Sequence, residues 1–262
     1  MTANPGKPRP AYWVYHYIWT ALDWVYPPVC GGCSKLGERW CTSCQNQVVQ
    51  LDWELCPKCG TPEPGGILCH ACQISPPPYQ AVRSWGKYSG SLRDAIHRLK
   101  YKQDIGIAEA LSKHLIELLN ILNWSIDILT VVPLGPKRML ERGYNQSSLL
   151  ARPVSLATGI PFQPGALVRS RETPSQVGLS ANDRHENMND AFIAKPNLVK
   201  NKAVLIVDDV ATTGSTITSC SQALVAAGAS YVYGLTLARA VLEMDTSPVP
   251  TESVATGTYP IQ

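Results

Sequence analysis

Eight of the nine cysteines form four Cys-x-x-Cys pairs near the start of the chain, and no other feature restricts the fold as strongly. Linkers of seven, eleven and nine residues separate the pairs, which are Cys30/Cys33, Cys41/Cys44, Cys56/Cys59 and Cys69/Cys72. Two such pairs offer four thiolates, which match the tetrahedral coordination of a structural Zn²⁺ ion. Soft sulfur ligands also select zinc over magnesium or calcium. We therefore predict two structural zinc ions, with no coordination position left for a catalytic water.

The assignment of cysteines to the two ions has alternatives. Each half of the cysteine-rich segment can hold its own ion, or the ligands can interleave, with the first pair joining the third. His70 lies next to Cys69 and is a substitute ligand, although an exposed histidine is the simpler interpretation. Cys220 stands alone on the apolar face of a predicted helix, as expected for a small buried hydrophobic residue.

The first residues do not form a secretory signal. Positions 1–10 are polar and proline-rich, and no small-residue cleavage site follows an apolar core. Thiols that are not exported stay reduced, which favours metal ligation over disulfides and predicts a cytoplasmic location. The most apolar segment, 11–26, contains His16 and Asp23, so we expect no transmembrane segment. The net charge of +3 is too small to indicate a nucleic-acid partner by itself.

The chain divides into four predicted regions. These are a leader with an aromatic helix (1–26), a cysteine-rich zinc module (27–74), an α/β domain (79–240) and a polar tail that we expect to be disordered (241–262). In the third region, apolar strands are predicted at 126–134, 203–207 and 231–237. Helices are predicted between them at 91–99, 107–122, 140–157 and 216–227, with a kink at Pro153. Continuous apolar strands alternating with helices are typical of a parallel sheet covered on both faces.

The segment from Val204 to Ile217 carries the strongest functional signal. An apolar strand runs into two adjacent carboxylates, Asp208 and Asp209 (the acid pair), and a helix begins shortly afterwards. The connecting residues offer four hydroxyl groups and one glycine: Ala211, Thr212, Thr213, Gly214, Ser215 and Thr216. A helix N-terminus suits a phosphate, whereas two acids suit sugar hydroxyls or a divalent cation. The segment therefore predicts a ribose 5-phosphate site, with a capped helix after an acidic strand end as the simpler alternative.

This segment resembles the signature of the type I phosphoribosyltransferases, and the chain as a whole resembles the ComF family, which is amidophosphoribosyltransferase-like. Further support comes from Val132-Pro133, Glu141-Arg-Gly-Tyr-Asn-Gln146, Thr173-Pro-Ser-Gln176, Leu179, Arg184 and Asn187. The resemblance implies an α/β fold with a type I phosphoribosyltransferase-like parallel sheet flanked by helices. It also implies that a small Cys-rich module, a double zinc ribbon, precedes this sheet. Pro153, where such proteins continue the helix, departs from the pattern.

The resemblance also implies a ligand and roles for single residues. The ligand is phosphoribosyl pyrophosphate with Mg²⁺, in which the acid pair holds the ribose 2- and 3-hydroxyls and the loop 211–216 holds the 5-phosphate. The cations near the expected pyrophosphate loop are Lys137, Arg138 and Arg142, although the last can instead orient that loop. Arg184, in the long polar segment 173–187, is a candidate for closing over the pyrophosphate. No histidine or glutamate presents itself as a general base for an acceptor.

The segment around 79–101 is a candidate for recognising an acceptor or a nucleic acid. Cations alternate with aromatic residues there, as on surfaces that bind single-stranded DNA, in the set Arg83, Trp85, Lys87, Tyr88, Arg93, Arg98, Lys100, Tyr101 and Lys102. A solvated helix face explains the same pattern. ComF-type proteins are linked to DNA uptake during natural transformation, which implies the DNA-uptake machinery as a partner and a position peripheral to the inner membrane. The aromatic helix at 12–26 is then either a docking surface or a helix packed on its own domain.

Three functions are consistent with these patterns. The first is a protein that binds phosphoribosyl pyrophosphate and acts in DNA uptake. The second is an active phosphoribosyltransferase in nucleotide or amine metabolism with an unknown acceptor. The third is a zinc-dependent adaptor in which the phosphoribosyl site is vestigial.

Overall fold

A parallel sheet forms the centre of the molecule, seen in a computed structural model that describes residues 8–51, 54–170 and 191–241. The strands are β1 (Ala81–Lys87), β2 (Ile128–Val131), β3 (Leu167–Arg169), β4 (Phe192–Ala194), β5 (Ala203–Ala211) and β6 (Tyr231–Arg239). Four of them form the parallel sheet in the order β1-β6-β5-β2, and β3 pairs with β4 in an antiparallel ribbon. The predicted α/β class with a parallel sheet is confirmed.

Helices cover both faces of this sheet. The α-helices of the described residues are α1 (Pro10–Val25), α2 (Thr42–Asn46), α3 (His70–Ile74), α4 (Gly90–Tyr101), α5 (Gly106–Leu122), α6 (Pro136–Arg142), α7 (Gln146–Thr158), α8 (Pro196–Val199) and α9 (Ser215–Ala226). On β5, Leu205 and Val207 pack into the core formed with α4, α5 and α7, while Val204 and Ile206 pack into the core formed with α9. The strand is apolar at every position of this run because both of its faces are buried.

Strand β1 was not anticipated by the sequence analysis, which treated this segment as a recognition surface. It lies at the edge of the sheet, where β6 pairs with one of its sides. The zinc module covers the other side: Leu51 N–H donates to the Trp85 carbonyl at 3.2 Å, and Lys87 N–H donates to the Val49 carbonyl at 2.8 Å. An open strand edge invites pairing with other chains, so this cover protects the sheet.

The helix predicted at 140–157 is two helices. Gly143 ends α6 with φ of +78°, a conformation in which glycine avoids the strain of a side chain, and Asn145 accepts a hydrogen bond from Ser147 N–H to begin α7. Helix α7 then continues through Pro153, which is buried. The chain therefore breaks two residues before α7, and this break points the first turn of α7 towards β5.

Helix α1 packs on the α/β domain through one face only. Tyr12 is buried, His16 Nδ1 lies 2.7 Å from Glu109 Oε1 on α5, and Asp23 pairs with Arg39 of the zinc module. The opposite face exposes large apolar side chains, among them Tyr17, Ile18, Trp24 and Val25. None of the helices in the described ranges combines the length and the hydropathy needed to span a bilayer.

Candidate functional site

The cysteines form two groups of four, as expected for two structural zinc ions. Cys30, Cys33, Cys41 and Cys44 (the first zinc site) lie within 4.8 Å of one another through their Sγ atoms, and so do Cys56, Cys59, Cys69 and Cys72 (the second zinc site). Representative Sγ–Sγ distances are 3.6 Å and 3.7 Å in the first site and 3.6 Å in the second. Thiolates at about 2.3 Å from a tetrahedral zinc lie about 3.8 Å apart, so both groups fit the ion. Ligation is sequential, the interleaved alternative is wrong, and the exposed His70 belongs to neither group.

In each zinc site, one cysteine has a lowered pKa and therefore ionises more readily. Burial raises the pKa of Cys30 and Cys56, but hydrogen bonds from backbone N–H groups outweigh burial and lower the pKa of each to about 6. The donors to Cys30 belong to Gly32, Cys33 and Cys41. Because zinc binds the thiolate, the backbone of the module already prepares these two ligands for the ion.

Arginines from the α/β domain contact the backbone of both zinc sites. Arg98 Nη1 on α4 donates to the Cys30 carbonyl at 3.3 Å. Arg83 Nη1 on β1 donates to the Pro57 carbonyl at 3.2 Å, and Arg239 on β6 donates to the Cys59 carbonyl. A zinc ion with four thiolates carries a net charge of about −2, so a guanidinium beside each site is electrostatically favourable.

The acid pair lies inside β5 and ends two residues before the last residue of that strand, Ala211, whereas the sequence pattern predicts a strand that ends at residue 207. Asp208 is paired in register with Thr236 of β6, and its carboxylate accepts hydrogen bonds from Ser147 Oγ at 2.8 Å and from Asp209 N–H at 2.9 Å. Asp208 is 8% exposed and Asp209 is 3% exposed. Burial, followed by the neighbouring charge of Asp209, raises the pKa of Asp208 to about 7. Two adjacent buried acids are costly to the fold, which is typical of a functional site.

A lysine from α4 reaches the acid pair. Lys100 Nζ lies 2.9 Å from Asp209 Oδ1, and the two side chains are 18% and 4% exposed. The second carboxylate oxygen of Asp209, Oδ2, is buried and has no hydrogen-bond partner in the described part of the chain. One acid is therefore held by a serine and a backbone amide, and the other by an ammonium group.

The residues predicted to hold a phosphate lie where the end of β5 meets the start of α9. Gly214 has φ of +80° and precedes the first residue of α9, so the chain turns sharply and the helix presents its free N–H groups. Thr212 and Thr213 are exposed, and Thr213 Oγ1 lies 3.0 Å from Ser215 Oγ. Tyr79 lies next to this turn, since a Cβ atom added at Gly214 would lie 3.9 Å from Tyr79 Oη. The loop is open on the side where a phosphate would contact hydroxyls and N–H groups.

The cations predicted to meet a pyrophosphate do not all have the same surroundings. Lys137 and Arg138 lie on the exposed surface of α6. Arg142 is partly buried, donates to Gln146 Oε1 at 2.8 Å and lies 4.9 Å from the ring centre of Tyr101. These contacts favour the alternative that Arg142 orients the loop between α6 and α7. Arg184 and the predicted lid at 173–187 lie outside the described residues.

The alternating cations and aromatics at 83–102 do not form one continuous surface. Trp85 is buried and stacks on His114 with ring centres 3.8 Å apart, and three of the cations contact other parts of the chain: Arg83, Arg98 and Lys100. Arg93 and Lys102 are exposed. The alternation in the sequence reflects a strand and a helix, and three of their cations contact a zinc site or the acid pair, namely Arg83, Arg98 and Lys100.

The sequence pattern did not predict that Ser147 and Lys100 contact the acid pair. Ser147 follows the N-cap of α7, and only the break at Gly143 brings its hydroxyl to Asp208. Lys100 was grouped with the candidate DNA-binding cations, and its contact with Asp209 joins two distant parts of the chain. The sequence offered a signal for the helix start beside Ser147, since Asn145 is a residue type that commonly caps a helix.

Both the cysteine-rich module and the α/β domain match known protein families. A double zinc ribbon domain matches residues 21–73, and a phosphoribosyl transferase domain matches residues 139–241. DNA utilization protein YhgH of Escherichia coli (strain K12) is 36% identical over 218 residues, covering 79% of this chain and 94% of that protein. Competence protein F of Haemophilus influenzae is 30% identical over 208 residues, covering 76% of this chain and 90% of that protein. The chain belongs to the ComF family.

Membership of the ComF family agrees with the fold and with the cysteine sites. Among solved structures, glutamine phosphoribosylpyrophosphate amidotransferase from B. subtilis matches with a TM-score of 0.38 and 24% identity, over 50% of this chain and 27% of that chain. The two matched domain ranges include both zinc sites, the acid pair and the loop 211–216. Lys100 lies between the two ranges, on a helix that neither of them covers.

Proposed function

We propose that this protein binds phosphoribosyl pyrophosphate or a related ribose phosphate, and that this binding serves the handling of DNA during natural transformation. One observation carries the proposal: two buried carboxylates on β5 lie shortly before the N-terminus of a 12-residue helix, with residues 210–214 between them. The carboxylates offer hydrogen-bond acceptors to a diol, and the helix offers donors to a phosphate. A ribose 5-phosphate presents both groups at a fixed spacing.

Each part of the ligand has a matching group in the chain. We assign the ribose 2- and 3-hydroxyls to Asp208 and Asp209, and the 5-phosphate to the loop 211–216. Lys137, Arg138 and Arg184 are the cations assigned to the pyrophosphate. Mg²⁺ is assigned to the pyrophosphate, because this ion is commonly bound through substrate phosphates. Mg²⁺ supplies charge stabilisation to a leaving pyrophosphate.

The role in DNA handling is supported by relatives whose names refer to DNA utilization and to competence. Single-stranded DNA and the DNA-uptake machinery are the proposed partners. The exposed apolar face of α1 supports a location in the cytoplasm at the inner membrane, because aromatic side chains such as Trp24 suit either a membrane surface or a partner protein. Arg93 is the exposed cation proposed to meet DNA.

Calorimetric titration of phosphoribosyl pyrophosphate with Mg²⁺ tests the ligand. We expect binding to the wild-type protein and a loss of at least about tenfold in affinity for Asp208→Asn combined with Asp209→Asn, because the diol loses its charged acceptors. A parallel titration with single-stranded DNA tests the partner, and we expect its affinity to fall with salt and in Arg93→Ala.

Three outcomes separate the candidate functions. Failure of the wild-type protein to bind the phosphoribosyl ligand contradicts the proposal. Release of pyrophosphate when nucleobases or amines are added identifies an active phosphoribosyltransferase. Ligand binding that is unchanged when both acids are replaced indicates a vestigial site and favours the adaptor function.

A further inference from the structure

Lys100 contributes a charge to the ribose site that the sequence motifs do not include. It lies in the last turn of α4, and its Nζ atom is 2.9 Å from Asp209 Oδ1. Both side chains are largely buried, with 18% and 4% exposure. A buried lysine is rarely found without a function for its charge, because removing an ammonium group from water is costly.

The position of Lys100 is set by a rigid backbone. Leu99 is fully buried, and its carbonyl accepts a hydrogen bond from the Tyr144 hydroxyl. Arg98 Nη2 pairs with Asp104 Oδ2 at 2.7 Å, and Arg98 Nη1 donates to the Cys30 carbonyl. The last turn of α4 is thus held by the first zinc site on one side and by the loop before α7 on the other, so Lys100 enters the site from a fixed point.

The two carboxylates are held by different groups. Asp208 Oδ1 already accepts from Ser147 and from a backbone amide. Asp209 Oδ1 is held by Lys100, while Asp209 Oδ2 is buried and has no partner among the described residues. Buried polar atoms in native proteins nearly always have a hydrogen-bond partner, so this oxygen is available to a donor from a ligand or from an ordered water.

We propose that Lys100 is a positioning residue of the ribose site. Its ammonium group holds one oxygen of Asp209 and balances the charge of the acid pair, which leaves the other oxygen of Asp209 to accept a hydroxyl group of a bound ribose 5-phosphate. This inference rests on the proposed function, and it identifies Lys100 as the residue that orients Asp209.

Lys100 also affects the titration of the acid pair. Burial and the charge of Asp209 raise the pKa of Asp208, whereas the hydrogen bonds from Ser147 and the Asp209 amide and the charge of Lys100 lower it. The titratable groups around Asp208 are Asp209 on its own strand, Lys100 from α4 and Cys220 from α9. Removal of Lys100 raises the pKa of Asp208 further, so the acid pair keeps a proton at higher pH and accepts hydroxyl donors less well.

The test measures affinity for ribose 5-phosphate by calorimetry between pH 6 and pH 9 in the full chain. The variants are Lys100→Met, the conservative Lys100→Arg, and the control Lys102→Met, which removes an exposed lysine at the end of the same helix. We expect Lys100→Met to weaken binding by about tenfold or more at pH 7, with a smaller difference at pH 9 as Asp208 ionises. Lys100→Arg should restore part of the affinity, and Lys102→Met should behave as the wild type.

Equal affinity and equal pH dependence in Lys100→Met and Lys102→Met would overturn the inference while leaving the proposed function intact. Absence of ribose 5-phosphate and phosphoribosyl pyrophosphate binding in the wild-type protein would overturn both. If Lys100→Met does not fold, the double variant Lys100→Met with Asp209→Asn removes the unbalanced charge. Folding of this variant with the same affinity as Asp209→Asn alone supports a role of Lys100 through Asp209, and an affinity clearly below that of Asp209→Asn contradicts that role.

Discussion

The two zinc sites have the same four ligands but lie in different surroundings. Cys30 and Cys44 of the first site belong to the large core, where an added Cβ at Gly31 would lie 2.8 Å from Ile107 Cδ1. The buried cysteines of the second site form a small cluster of their own, Cys56, Cys69 and Cys72. The two zinc sites therefore contribute differently to the fold. The first zinc site is part of the main core, whereas the second zinc site is attached to it.

The attachment of the second site depends on a few polar contacts. Val82 N–H donates to the Lys58 carbonyl at 2.7 Å, and Arg83 and Arg239 donate to backbone carbonyls of the knuckle. An added Cβ at Gly60 would lie 2.4 Å from the Val82 carbonyl oxygen, so the knuckle and β1 are in close backbone contact. We therefore expect the second site to open locally without unfolding the sheet.

Loss of the first site should have the largest effect. Cys30→Ser removes a ligand that is fully buried in the main core, and we expect it to lower the free energy of unfolding by about 3–5 kcal/mol. Zinc content should fall from two ions to one per chain. Denaturant unfolding, followed by tryptophan fluorescence, measures the stability, and metal analysis measures the zinc.

The matched change in the second site should cost less. Cys56→Ser also removes a fully buried first cysteine of a knuckle, yet we expect a global loss of only about 1–2 kcal/mol because the second cluster is separate from the sheet. Hydrogen exchange should rise at 54–74 and along the outer side of β1. Equal losses in Cys30→Ser and Cys56→Ser would contradict the distinction between the two sites.

Asp208→Asn should stabilise the α/β domain, whose core includes the first zinc site. The folded protein raises the pKa of Asp208 from 3.8 to about 7, so the folded state binds this proton more tightly and loses stability as pH rises between these values. Asparagine does not ionise, and we expect a gain on the order of 1–3 kcal/mol at pH 8. The gain should disappear near pH 4, where the aspartate is protonated in the folded state. Thermal unfolding at both pH values checks this, and a gain that is independent of pH would contradict it.

Arg239→Met should give the smallest effect. Arg239 is 3% exposed and donates to the Cys59 carbonyl, so its removal leaves one backbone acceptor of the second site without this donor. We expect a loss of about 0.5–1 kcal/mol in local stability, seen as faster hydrogen exchange in the second module and unchanged exchange around Cys30. Faster exchange at both sites would show that the two modules open together.

The features that could be predicted from the sequence are those determined by residues that lie close together in the chain. The cysteine spacing specified two four-thiolate sites, and the apolar run before Asp208 specified a buried parallel strand. Strand β1 was missed because Arg83 and Lys87 gave it the appearance of a surface, whereas Arg83 in fact contacts the second zinc site. The contact between Lys100 and Asp209 could not be predicted, since it arises from the packing of α4 against the sheet.

The cover over the outer side of β1 has a consequence for synthesis on the ribosome. Residues 49–58 emerge before β1, whereas its sheet partner β6 emerges near the end of the chain. The outer side of β1 can therefore pair with residues 49–58 as soon as the strand is synthesised. The side that pairs with β6 remains unpaired until most of the domain has been synthesised. A zinc-loaded module that forms early shields the nascent strand from pairing with other chains, so zinc supply during translation influences how much protein reaches the native state.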